Sequence, residues 1–335
     1  MSFKNYNIPN INYLEGTSFK WINIDNPTQE NLNFLINEYQ FHPLDIEDCL
    51  SKTQLPKIDE YQNYLFIILH LPKYLKDKKY SVPSQVSIFF SEDYFVSIHS
   101  GDLKPINNFF KTCKELVDCQ DSPTENIARL NPKSRAFITA DMSTAFLLYR
   151  FIYNLLDNLL RMMGKIIYNM EEIEEKVFDE KIDAVREVTQ LRHDIANLRR
   201  IVFPLKRVIH EIENKVRRFT TDDMSVYFGD LSDTVDKVWA ILEDCKETIE
   251  IYKDTDFIIS SDRTNKILAL LTIVFTYSIP ATVLGTFYGM NIPLPGGGDE
   301  PFIFLGKYTT FILILTASSI PAFLMYWIFK KLRWL

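Results

Sequence analysis

With 335 residues, 47% of them hydrophobic, the chain is longer than one small domain needs. Its formal net charge of −7 excludes a duplex nucleic-acid partner, which requires a basic face to neutralise phosphates, and suits cations better. Four cysteines, Cys49, Cys113, Cys119 and Cys245, form no Cys-x-x-Cys pair and read as reduced, mostly buried thiols.

Residues 1–16 are Asn-rich and polar, with no apolar core or small-residue cleavage site, so no secretory leader is read and the N-terminal part is expected in the cytosol. Residues 21–24 then read as a strand and residues 27–39 as a helix with a proline near its start. Residues 64–71, 86–90 and 94–99 are strands rich in β-branched and aromatic side chains. These elements make residues 1–135 an α/β domain.

Residues 136–266 change to long helices with few breakers, interrupted mainly at Pro204 and around residues 220–229. Leu191, Ile195, Leu198, Val202, Leu205, Ile209 and Ile212 recur every three or four positions, as one face of an amphipathic helix does. The acids Glu171, Glu172, Glu174 and Glu175 read as a solvated face, because Met170, Ile173 and Val177 supply a buried stripe between them. His210-Glu211 opens like a zinc-protease helix, but Asn214 stands where the second histidine is needed. His42, His70, His99 and His193 are scattered and read as structural. No phosphate-cradling Gly-rich loop with a following Lys-Ser or Lys-Thr is present, so neither nucleotide nor ATP hydrolysis is implied, and no enzyme is expected.

Residues 267–287 and 308–329 are uncharged and apolar. A helix of about 20 residues rises about 30 Å, enough to cross the hydrocarbon core of a bilayer. Residues 267–335 are thus a two-helix transmembrane domain with a loop at 288–307, and Pro280 is tolerable within the first helix if neighbours satisfy the freed carbonyl. Arg263 and Lys266 precede the first span and Lys330, Lys331 and Arg333 follow the second, whereas the loop carries Lys307 against Asp299 and Glu300. The positive-inside bias places both ends in the cytoplasm and the loop outside a plasma or inner membrane.

The triplet Gly289-Met290-Asn291, at the outer end of the first of two C-terminal spans and behind a large soluble part, resembles the signature of the CorA family of magnesium channels. Phe41-His42-Pro43-Leu44-Asp45-Ile46-Glu47-Asp48, Pro56-Lys57-Ile58-Asp59-Glu60-Tyr61 and Ser87-Ile88-Phe89-Phe90 are similar in order and spacing to that family's cytosolic domain. The resemblance covers the whole chain. It implies a homopentamer whose stalk feeds into the first span, with magnesium as transported and regulatory ion and cobalt or nickel as passengers. A zinc carrier of the same superfamily, some members of which couple to protons, and a non-conducting membrane-anchored sensor are the rival readings. An intact Met290 favours magnesium by resemblance.

Two helices cannot enclose a water-filled path, so conduction requires several copies around an axis. On a wheel of about 100° per residue, Asn265, Thr272, Thr276, Thr282 and Thr286 fall within an arc of about 120°, and Ala269, Ile273, Val274, Ala281 and Leu284 lie opposite, with Tyr277 the polar exception. Leu268, Phe275 and Ile279 share the arc and would form apolar collars able to gate by dewetting. Each threonine alone is equally an ordinary helix hydroxyl bonded to its own backbone. The resemblance implies a pore lined at Asn265, Leu268, Leu271, Ile279, Thr282 and Asn291.

Magnesium dehydrates reluctantly, so its filter should hold the hydrated ion, and the neutral amide of Asn291 accepts from first-shell water without trapping charge. Gly289 allows a turn that brings carbonyls toward the axis, and the triplet equally reads as a helix C-cap. The lining has no thiolate, imidazole or carboxylate, the donors softer metals prefer. Asp299 and Glu300 stand farther from the triplet than the acids of many relatives, as an external ring or as idle loop acids. Asp230, in Tyr227-Phe228-Gly229-Asp230, matches an acidic regulatory position of the family and equally reads as a helix cap. Asp77 is a weak partner for it, flanked by Lys76, Lys78 and Lys79.

Overall fold

A computed structural model describes residues 9–51, 54–118, 142–179, 182, 184–290, 304, 306 and 308–331. The chain divides into two compact units, Met1–Lys253 and Asp254–Leu335.

The first unit is built on a six-stranded sheet in the order β1-β2-β6-β5-β4-β3. Its strands are β1 (Ile11–Glu15), β2 (Lys20–Asp25), β3 (Lys57–Glu60), β4 (Leu65–Leu75), β5 (Tyr80–Phe90) and β6 (Tyr94–His99). β2 and β6 run parallel, and every other neighbouring pair is antiparallel. The expected strands at 64–71 and 86–90 are the inner parts of a longer hairpin. It continues through Pro72 and Pro83, which stand opposite each other, so the two missing donors coincide at one rung.

Both faces of the sheet are covered, which explains strands that read as continuous apolar runs. Ile22, Ile24, Phe66, Ile68, Phe89, Val96 and Ile98 pack against Leu32, Leu35, Phe41 and Ile46 of two short helices, α1 (Gln29–Tyr39) and α2 (Pro43–Leu50). Thr28 caps α1 in a reciprocal box with Asn31, so the expected helix starts after Pro27 rather than at it. His42 caps α2, its Nδ1 accepting from the Leu44 N–H at 3.3 Å, and Pro43 opens the helix. The buried Asp45 carboxylate accepts from Tyr61 and Tyr64 hydroxyls at 2.9 Å each. Burial raises the Asp45 pKa, and the two hydroxyls oppose that rise.

Trp21, Leu65, Ile67, Leu69, Val86, Ile88, Phe90 and Phe95 face the other way and share one core with the long helices. These are α3 (Lys104–Asp118), α4 (Thr144–Val177), α5 (Val185–Val216) and the first part of α6 (Ser225–Tyr288). All seven apolar positions expected on one stripe of α5, Leu191 through Ile212, are buried. Pro204 does not break the helix as expected. It lies inside α5, where a proline costs about 3 kcal/mol, and the buried Ile201, Val202, Leu205 and Ile209 around it offset that cost. The helical run is interrupted between Val177 and Val185 and, overlapping the expected break around 220–229, between Val216 and Ser225, with Gly229 falling within α6. Met170, Ile173 and Val177 are buried while the neighbouring glutamates face solvent, Glu174 accepting from the Tyr252 hydroxyl at 2.8 Å.

Cys113 and Cys245 are buried thiols and Cys49 is half-buried; Cys119 lies outside the described residues. The second unit holds the rest of α6 and α7 (Thr309–Lys331), two helices long and apolar enough to cross a membrane, with mean hydropathies of 2.1 and 1.9 over windows that bury nothing within the chain.

Candidate functional site

The apolar end of α6 carries most of the expected lining residues. Pro280 sits within the helix without ending it. Leu268, Leu271, Phe275 and Ile279 are each about half exposed or more, at 54%, 47%, 63% and 56%. Asn265, Thr272, Thr276, Thr282 and Thr286 lie on the same continuous helix.

The hydroxyls have a defined state. Thr272 donates to the Leu268 carbonyl at 2.8 Å, Thr282 to Ser278 at 2.9 Å and Thr286 to Thr282 at 2.7 Å. Ser278, which the sequence reading passed over, donates to the Val274 carbonyl at 2.8 Å. The proton of each group is therefore spent on the preceding turn, as the ordinary-helix reading expected. What each oxygen retains is acceptor capacity. The oxygens of Thr272, Ser278, Thr282 and Thr286 are matched to a ligand whose outer atoms are donors, and the first-shell waters of a cation are such a ligand.

α6 closes at Tyr288. The Gly289 N–H is shared between the carbonyls of Gly285 at 2.9 Å and Thr286 at 3.2 Å, and the Met290 N–H bonds to Phe287 at 3.2 Å. This tightened last turn satisfies carbonyls that a helix end otherwise leaves open. Gly289 is not in the left-handed region. A Cβ at 289 would stand 3.1 Å from the Gly285 carbonyl oxygen, a tight approach that glycine avoids. Asn291, Asp299 and Glu300 lie outside the described residues.

In the first unit Asp230 is exposed on α6, with the Tyr149 hydroxyl 3.5 Å from its Oδ2. Burial raises the Tyr149 pKa, and the Asp230 charge adds to the rise. Asp77 is exposed in the β4–β5 turn. Among the described residues of one chain, no three His, Cys, Asp or Glu side chains converge as a metal cage.

The histidines expected to be structural differ in their surroundings. His99 is buried, with Nε2 3.1 Å from Asn23 Oδ1 and 3.0 Å from Asp25, while Nδ1 accepts from the Gly101 N–H at 3.1 Å. That acceptor role keeps the ring neutral, and burial lowers its pKa in the same sense. His210, of the failed zinc-protease start, pairs with Asp236 at 2.8 Å.

A family model described as CorA-like Mg2+ transporter protein matches residues 16–331. The chain is 26% identical over 317 residues to the cobalt/magnesium transport protein CorA of Thermotoga maritima, an alignment covering 94% of this chain and 83% of that one. The solved complete structure of the CorA magnesium transporter from Methanocaldococcus jannaschii superposes with a TM-score of 0.73 at 19% identity, over 100% of this chain and 94% of that one. The full-length CmaX structure superposes with a TM-score of 0.70 at 17% identity, over 99% and 93%.

Proposed function

The chain belongs to the CorA-like Mg2+ transporter family of divalent-cation transporters, and on that footing we propose that it is a magnesium channel driven by membrane potential, with cobalt and nickel as secondary ions. The observation that carries this reading is the stripe of hydroxyl acceptors on α6. Hydrated magnesium keeps several waters, whose hydrogens point outward and need acceptors. Exposed to lipid in a single chain, the stripe would be poorly solvated, so several copies, five by family resemblance, place it around a common axis.

In this assembly Leu268, Phe275 and Ile279 form apolar collars between the hydroxyl levels, and Gly289, Met290 and Asn291 form the outer filter. Asn291 holds the hydrated ion by its amide oxygen, and Asp299 and Glu300 draw cations toward it. Both chain ends and the N-terminal unit face the cytoplasm. A divalent ion entering across about 100 mV gains roughly 4.6 kcal/mol, so no chemical fuel is required. Asp230 is the regulatory ligand of this reading, binding cytosolic magnesium between subunits, with Asp77 the weaker partner.

The test is flux through the purified full chain in liposomes. Magnesium should pass down its gradient without a proton gradient, and Asn291→Ala should remove most of that flux at equal membrane abundance. Full magnesium flux in the variant sinks the filter assignment. Zinc flux that depends on a proton gradient replaces the channel with a zinc carrier, and the absence of flux of either ion leaves a sensor.

A further inference from the structure

The level of Thr276 differs from the rest of the polar arc of α6 in two independent ways. The first is set by Pro280, which lies within the helix one turn further on and has no N–H to give the Thr276 carbonyl. A helical carbonyl points along the axis toward the residue four positions on, so this one opens on the stripe that holds Thr276 and Pro280. The second is the hydroxyl. Thr272, Ser278, Thr282 and Thr286 each donate to the carbonyl of the preceding turn, whereas the Thr276 hydroxyl makes no hydrogen bond among the described residues.

The hydroxyls of α7 are spent in their own helix. Thr316 donates to the Ile312 carbonyl at 2.9 Å, and Ser318 and Ser319 donate to Leu315 at 2.9 and 2.7 Å. Thr276 is half-buried and stands midway along the apolar run at 267–287. At that depth a backbone carbonyl without a donor is tolerated only inside protein or beside a water-filled cavity. Phe275 and Ile279, on either side of it in the sequence, are both exposed within the chain. No proline stands four residues after Thr272, Thr282 or Thr286, so the freed carbonyl is peculiar to this level of the arc.

We infer that the Thr276 carbonyl and hydroxyl form a seat for a hydrated divalent cation, between the apolar collars of Phe275 and Ile279. The inference rests on the channel reading and adds a defined resting point to it. The carbonyl accepts a hydrogen from first-shell water, and the hydroxyl, whose proton is not tied to the helix, turns its lone pairs toward the same shell. Several copies around the axis repeat this pair as a ring, which matches an ion that keeps its waters. Apolar collars wet poorly, so the seat is where the ion stays fully hydrated between them.

Two measurements on the full chain in liposomes test it: flux across a range of magnesium concentrations, and isotope-edited infrared spectroscopy. Pro280→Ala returns an N–H to the Thr276 carbonyl and should raise the half-saturating magnesium concentration by about fivefold or more, as the loss of a hydrogen bond does. Thr276→Val keeps the proline, removes only the hydroxyl and should raise it less. Thr276→Ser should restore the wild-type value, and Thr316→Val, on α7, should leave it unchanged. With threonine labelled at its carbonyl carbon, the band present in wild type and missing in Thr276→Ser belongs to residue 276. That band should shift when magnesium is added to wild type and stay still in Pro280→Ala. Unchanged half-saturation in both Pro280→Ala and Thr276→Val, or a band indifferent to magnesium in a conducting wild type, overturns the seat and leaves the channel reading standing. A wild type that passes no magnesium overturns the channel reading, and the seat then stands or falls on the magnesium shift of the band.

Discussion

α6 contains two apolar stretches that obey different solvents. Up to Tyr252, its buried positions are Phe228, Leu231, Val235, Val238, Leu242, Cys245, Ile249 and Tyr252, spaced alternately by three and four. That spacing is a single seam, flanked by the partly buried Trp239 and Ile241, and most of the other intervening residues are charged or small. In the second apolar stretch no seam is buried within the chain, and Leu270 and Val274, which lie away from the polar arc, are 63% and 52% exposed. Apolarity therefore says only that water is avoided. The angular distribution distinguishes a face that seeks a protein core from a surface that suits lipid.

The most direct way to break this comparison is to make the same truncation in each stretch. Leu242→Ala, at a fully buried position, should lower unfolding stability by about 2–5 kcal/mol. Leu270→Ala, at 63% exposure, should change it by about 0.5 kcal/mol or less in detergent. Chemical unfolding followed by tryptophan fluorescence and by far-UV dichroism of the whole chain measures both. A loss at Leu270 as large as at Leu242 would mean that this face packs on protein, and the lipid assignment would go.

The comparison sharpens further on the acceptor stripe. Ile279→Ala and Phe275→Ala should widen an apolar collar and raise resting magnesium flux severalfold, because a wider constriction wets more readily. Reduced flux with normal folding would instead place these side chains against lipid or a neighbouring helix.

A subtler effect is expected at the opposite end of α6. Asp230→Lys should leave magnesium flux in place while weakening magnesium-dependent protection of the soluble part from proteolysis. Unchanged protection in the variant, or none in the wild type, would end the regulatory role of Asp230 and leave the pore reading untouched.

The smallest effect concerns the core between α5 and the sheet. Burial raises the Asp194 pKa, opposed by the Ser81 backbone N–H. A raised carboxyl favours the folded state while protonated, so its contribution is present below the ordinary value of 3.8 and is lost as pH rises through the folded value. Asp194→Asn keeps an acceptor for Ser81 and removes the charge. The variant should gain stability over wild type near neutral pH, by a margin that shrinks as pH falls toward 4. A gap that stays constant with pH would show that Asp194 does not carry the linkage.

Much of the fold was legible in residue order. The strands at 21–24 and 94–99 follow from short β-branched and aromatic runs buried on both faces, and the seam of α5 follows from a period-3.6 pattern. β1 and β3 were not legible, because both are edge strands with polar side chains and their identity comes from a neighbour's backbone. The full length of the β4–β5 hairpin was hidden by its two prolines, whose alignment is a property of the pairing. Within the candidate site, residue order placed the threonines on one arc, but only the folded helix assigns their protons.

By itself, then, the sequence determined which segments avoid water and which face of each helix is polar, because periodicity is a local property of the chain. Tertiary structure decided that Pro204 lies inside a helix packed on the sheet and that Pro72 stands opposite Pro83 in the β4–β5 pairing. Each of these depends on which distant residue arrives beside it, and local spacing carries no record of that.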